Sequence, residues 1–113
     1  MKFEMRRKID ELGRIVVPQD IRDYYGIGDG DTVVLIPIKE GIQVVKTEPF
    51  LVGQLPRSIT ATVDGNGRMV VPAFFRNYYR FSPKDTVSFI PSESCVVMVK
   101  APVGTDFIEK STC

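Results

Sequence analysis

The chain contains one copy of itself. Residues 7–46 align with 61–100 at a constant offset of 54 positions and without a gap. Asp10 falls on Asp64, Gly13-Arg14 on Gly67-Arg68, and Val16-Val17-Pro18 on Val70-Val71-Pro72. Further on, Arg22 meets Arg76, Tyr24-Tyr25 meet Tyr78-Tyr79, Asp31-Thr32-Val33 meet Asp85-Thr86-Val87, and Ile36-Pro37 meet Ile90-Pro91. Each copy spans about forty residues, near the lower limit for a self-sufficient core, so the two are expected to share one.

Both copies read alike locally. Residues 5–10 and 59–64 are strand candidates, and Ile59-Thr60-Ala61-Thr62-Val63 alternates apolar with polar. Asp10-Glu11-Leu12-Gly13 and Asp64-Gly65-Asn66-Gly67 are turn chemistry, followed by the β-branched runs 14–17 and 68–71. Pro18 and Pro72 end those strands and suit a helix start. Helices are predicted at about 18–25 and 72–79, with Ile21, Tyr24, Tyr25 and Phe75, Tyr78, Tyr79 as their apolar faces. Strands 32–37 and 86–91 follow, then turns and strands 42–46 and 95–100.

Each copy is therefore ββαββ, and the fold class is mostly β with two short helices. Two copies can close eight strands into a barrel with pseudo-twofold symmetry, which would remove exposed sheet edges. The expected organisation is a first repeat at 5–47, a linker at 48–58, a second repeat at 59–100 and a C-terminal tail at 101–113, with both repeats in one barrel.

Composition excludes several functions. Lys and Arg number 15 against 14 Asp and Glu, so a polycation that coats nucleic acid nonspecifically is not expected; charge must act through its placement. There is no His, which removes the usual neutral-pH general base, the commonest metal ligand and every Ser-His-Asp or Cys-His system. Cys95 and Cys113 lack CxxC spacing, and a reduced, cytoplasmic setting is the simplest reading. The start Met1-Lys2-Phe3-Glu4-Met5-Arg6-Arg7-Lys8 has no apolar signal core, and no run approaches the ~20 apolar residues of a membrane span.

Three motifs fail on inspection. Gly26-x-Gly28-x-Gly30 has neither GxGxxG spacing nor a preceding strand, so it reads as a loop and not a phosphate cradle. Asp64-Gly65-Asn66-Gly67 opens like a calcium loop, but Arg68 and Met69 occupy ligand-side positions and Phe75 stands where the closing Glu belongs. Asp10 and Asp64 could form a carboxylate pair on a symmetry axis, yet turn formation and pairing with Arg14 and Arg68 account for them more simply. No enzyme, metal or cofactor is expected.

The arginines are the better lead. Arg6, Arg7, Lys8, Arg14 and Arg22 cluster in the first copy, and Arg57, Arg68, Arg76 and Arg80 in the second. Mirrored arginines suit a duplex, whose strands present phosphates and guanine edges with dyad symmetry. Spacing alone leaves a second reading open, a solvated surface with local Asp10–Arg14 and Asp64–Arg68 pairs.

The stretch Arg7-Lys8-Ile9-Asp10-Glu11-Leu12-Gly13-Arg14-Ile15-Val16-Val17-Pro18, with Ile21-Arg22 and Gly26-Ile27-x-x-Gly30-Asp31, closely resembles the prokaryotic AbrB/MazE/SpoVT family of swapped-hairpin DNA-binding domains. The second copy, Val63 to Pro72, looks like a more divergent member, and the tandem form is similar to the two-copy MraZ-type relatives. The resemblance implies a swapped-hairpin (cradle-loop) β-barrel and a DNA-binding transcriptional regulator. Its DNA-contacting basic positions map onto Arg7, Lys8, Arg14 and Arg22, and in the second copy onto Arg68 and Arg76. Ala61 and Thr62 replace the first basic pair, and Asp23 and Asn77 stand where relatives often carry another Arg. Arg80 takes the place of the stop glycine Gly26 and is expected to restore some of the missing positive charge. Double-stranded DNA is the expected partner, with self-association and a protein partner left open. The alternative function is an antitoxin-like interaction module.

Overall fold

A computed structural model describes residues 5–46, 59–92 and 95–101. The linker 48–58, with Arg57, lies outside these residues, as do Cys113 and all but the first residue of the tail. Among the described residues the order is β1 (Met5–Lys8), β2 (Arg14–Val16), α1 (Gln19–Tyr25), β3 (Thr32–Pro37), β4 (Ile42–Val45), β5 (Ile59–Thr62), β6 (Arg68–Val70), α2 (Ala73–Tyr78), β7 (Thr86–Pro91) and β8 (Val96–Lys100). Pro18 and Pro72 sit one residue earlier than a helical start, as N-caps with extended ψ of 142° and 147°.

All pairing is antiparallel. One sheet has six strands in the order β1-β7-β8-β4-β3-β5, and β2 pairs with β6 in a separate ribbon. The first strand of each repeat pairs with the third strand of the other. Met5 faces Phe89 and Lys8 faces Thr86, while Ile59 faces Leu35 and Thr62 faces Thr32. The registers are related by the same offset as the sequence. Ile15 pairs with Met69 and Gln43 with Val97, each residue facing its own repeat mate, so a pseudo-twofold axis runs through both pairs.

The ladders do not form one continuous ring of eight strands among the described residues. β1 and β5 are the edges of the large sheet, and the chain leaves each edge through an Asp turn into the ribbon. These turns interrupt the ladder. Asp10 Oδ1 accepts the backbone N–H groups of Leu12 and Arg14, and Asp64 Oδ1 those of Asn66 and Arg68.

Burial closes the structure from within. Ile15 and Met69 on the ribbon join Ile9, Val33, Leu35, Ile42, Phe75, Phe89, Val96 and Met98 in one core to which both repeats contribute. Of the helical faces, Ile21 and Phe75 are buried as expected, but Tyr24 and Tyr78 are exposed. A two-turn helix has room for only one or two inward residues against a sheet, and the second of each Tyr pair takes the place. The Tyr25 hydroxyl donates to the carbonyls of Ser92 and Cys95, and the Tyr79 hydroxyl donates to Ile38 O at 2.6 Å. Ile38 and Ser92 are repeat mates, so each helix is latched to the β-hairpin of the opposite repeat.

Cys95 is buried and is not a free thiol, which departs from the expectation of two reduced cysteines. No helix among the described residues is long and apolar enough to cross a membrane.

Candidate nucleic-acid interface

The β2–β6 ribbon sets the geometry of the candidate site. Strand alternation turns Ile15 and Met69 inward and leaves Arg14 and Val16 on one strand, and Arg68 and Val70 on the other, facing out. Arg14 lies opposite Val70 and Arg68 opposite Val16, so the two arginines sit diagonally across the pseudo-dyad on a single face. Val70 is 51% exposed and Leu12, at the neighbouring turn, is 68% exposed, so this face is open to a partner.

The turns hold the arginines unequally. Arg14 Nε donates to Asp10 Oδ2 at 2.8 Å. Arg68 Nε lies 3.9 Å from Asp64 Oδ2 and is buried without a hydrogen-bond partner. Both carboxyls titrate below their ordinary range. The Arg14 backbone N–H does most to lower Asp10, helped by the Arg14 side chain and the Leu12 N–H. For Asp64 the Arg68 backbone N–H leads, followed by the Asn66 N–H and the charges of Arg68 and Arg14. Arg14 thus acts electrostatically across the ribbon on the opposite turn.

Arg22 and Arg76 have a structural task. Arg22 Nε donates to Val17 O and Arg76 Nε to Val71 O, each at 2.9 Å. Their guanidinium groups lie on the turn glycines of the opposite repeat. A methyl group on Gly67 would come within 2.5 Å of the Arg22 guanidinium carbon, and one on Gly13 within 3.0 Å of that of Arg76. Both glycines also have positive φ, 78° and 77°, so glycine is required there twice over. Arg22 adds a bond from Nη2 to Gln19 Oε1; Arg76 has Ala73 at that position. Arg14 with Arg76, and Arg68 with Arg22, therefore flank the two ends of the ribbon.

Arg7 and Lys8 are exposed on the edge strand β1. Arg80 is exposed in the loop after α2 with φ of 59°, the left-handed conformation that Gly26 adopts at 68°. Strand exchange seats the 80–84 loop against the first repeat, where the Lys84 backbone N–H donates to Ile9 O at 2.7 Å. Lys84 itself was missed in the sequence, although the repeat offset sets it on Gly30 and flags a second glycine-to-cation exchange. Its φ is 72°, against 83° for Gly30.

Among the described residues no group of three or more His, Cys, Asp or Glu side chains could hold a metal ion. No protein-family model and no curated protein matches the chain. The solution structure of PHS018 from Pyrococcus horikoshii aligns over 88% of this chain and 95% of its own, at 24% sequence identity and a TM-score of 0.51. At that identity the likeness concerns the fold alone.

Proposed function

We propose that this chain is a DNA-binding transcriptional regulator of the AbrB type that grips duplex DNA through the ribbon face. The observation that carries the reading is the diagonal pair Arg14 and Arg68, outward on one face and related by the pseudo-dyad. A duplex offers phosphates and guanine edges with matching symmetry, and a two-stranded ribbon fits the major groove. We also read the exchanged strands as a swapped-hairpin, cradle-loop barrel, in which β1–β2 and β5–β6 are the exchanged hairpins. The chain has no His, and the reading includes no enzymatic step or cofactor. A cytoplasmic location accompanies the proposal.

Titration of duplexes selected from a random pool tests it. With about five phosphates neutralised, log affinity should fall against log salt with a slope near −4.5. Arg14→Ala and Arg68→Ala should each weaken binding by about 1–3 kcal/mol if the side chain reaches a base edge. Full affinity in both variants removes the ribbon from the interface. One observation favours a second reading, a protein-interaction module: α2 exposes Phe74 and Tyr78, in edge contact at 6.0 Å between ring centroids. A protein that co-purifies with the wild type, and is lost with Phe74→Ser, would support that reading.

A further inference from the structure

Strand exchange sorts the charges to one side of the molecule. Each first strand lies beside the post-helical loop of the other repeat, through Lys84 N–H to Ile9 O on one flank and Gly30 N–H to Val63 O on the other, both 2.7 Å. The first flank combines Arg7 and Lys8 of β1 with Arg80 and Lys84 of the loop, all exposed. The equivalent positions of the second flank are Ala61, Thr62, Gly26 and Gly30, and its loop adds Asp29. Lys100 and Lys46 cancel from the comparison, since each is paired on its own flank, with Asp85 at 3.3 Å and Asp31 at 3.2 Å. The turn after β1 contributes Glu11 where the other turn has Gly65, which leaves the first flank strongly basic.

Within each repeat the sequence is more balanced, because the basic strand belongs to the first copy and the basic loop to the second. Only the exchange unites them. Arg80 and Lys84 also occupy left-handed positions that their repeat mates fill with glycine, so these cations stand where backbone geometry disfavours them.

We propose that this basic flank holds the phosphate backbone on one side of the ribbon only, so that the protein binds duplex DNA asymmetrically. The inference rests on the duplex reading of the ribbon. The ribbon alone would engage a symmetric site equally in either orientation; the flank extends the contact in one direction.

The test measures affinity of the full chain for a symmetric selected duplex with both flanks, one flank or neither, at two salt concentrations. Wild type should tolerate loss of either flank, by turning the basic side toward the DNA that remains, and lose on the order of tenfold when both are removed. The double variant Arg80→Gly/Lys84→Gly keeps the basic residues of β1 and should lose less than wild type when both flanks are removed, and its salt slope should be shallower by about 1.8 for two lost phosphate contacts. Glycine suits both backbone positions, and a melting temperature at or above wild type verifies the fold. A loss of wild-type affinity on removing a single flank, about half of that seen when both are removed, overturns the asymmetry, as does an unchanged slope in the double variant. If Arg14→Ala still weakens binding in those cases, the ribbon reading stands alone. Absence of wild-type binding to every duplex at low salt overturns both.

Discussion

Residues 26–30 and 80–84 are equivalent loops, one after each helix, and the backbone takes the same left-handed turns in both. The first loop does so with Gly26 and Gly30, the second with Arg80 and Lys84. The shared path is imposed from outside the loop. Ile27 and Phe81 are both buried, their N–H groups return to Arg22 O and Arg76 O, and Gly30 and Lys84 bond to the first strand of the other repeat. Tertiary anchoring has held the conformation while the side chains diverged. The comparison teaches that the two repeats conserve what the core needs and differ in what solvent, or a partner, meets.

The core makes the largest test. Ile21 and Phe75 are repeat mates and both are buried, so each should resist truncation, the larger side chain more strongly. Phe75→Ala is expected to cost about 4 kcal/mol and Ile21→Ala about 3 kcal/mol, because a bigger cavity forfeits more contacts. Denaturant midpoints at constant slope measure both. A reversed order would mean that the two halves do not fill the shared core equivalently.

Gly41 offers a smaller and sharper contrast. Its repeat mate is Cys95, which carries a buried side chain, whereas a methyl group on Gly41 would overlap the Met98 carbonyl oxygen and come within 2.7 Å of Val99 Cγ1. Backbone atoms of a sheet neighbour cannot yield as a side-chain tip can. Gly41→Ala should therefore destabilise by about 2–3 kcal/mol. Thermal unfolding that moves by less than a degree would show that β4 and β8 separate more easily than their pairing implies.

The predicted strands 32–37 and 86–91 agree with β3 and β7 to the residue, because Asp31 and Asp85 open them and Pro37 and Pro91 close them. The duplication itself carried the pseudo-dyad, and the Asp-x-x-x-Arg spacing carried both turns. Three features were not legible. Strand exchange leaves no local trace, since β1 would alternate identically beside either partner, and it is expected only because the family resemblance implies it. The exposure of Tyr24 and Tyr78 follows from how each helix meets the sheet, which a 3.6-residue period alone does not fix. The resemblance implies Arg22 and Arg76 as DNA-contacting positions, and nothing in their spacing shows that each guanidinium is tethered to a carbonyl and laid on a glycine of the other repeat. Lys84 was legible, and the offset pointed to it directly.

The loop comparison yields an effect of opposite sign. Arg80→Gly and Lys84→Gly relieve a side chain held at positive φ, worth about 1 kcal/mol, but also loosen the unfolded chain. Each should raise stability by about 0.5 kcal/mol, while Gly26→Ala and Gly30→Ala should lower it. Stabilisation by the first pair together with weaker duplex binding would separate fold from function at these two positions. A loss of stability would instead reveal that the arginine and lysine side chains support the loop.

The smallest difference concerns the two Asp turns and acid. Asp10, Asp64, Asp31 and Asp85 all titrate below 3.8 in the folded chain, each chiefly because a backbone N–H donates to its carboxylate. A depressed folded value means that the charged form is favoured by folding. The stability it contributes is present above the unfolded value of about 3.9 and is lost as pH falls through the folded values. Urea midpoints should accordingly be flat from pH 7 to 5 as far as these groups are concerned and decline below pH 4. The turns then differ in their charged partner. Asn at either position retains an oxygen for the backbone donors, but at position 10 it forfeits the 2.8 Å charged bond to Arg14, whereas at position 64 the Arg68 Nε was already 3.9 Å away. Asp10→Asn should therefore lower the neutral-pH midpoint more than Asp64→Asn, and both should flatten the acid decline. Equal midpoints for the two variants would mean that the backbone bonds alone hold the turns, leaving the Arg14 side chain as unengaged as that of Arg68 and equally available to a phosphate.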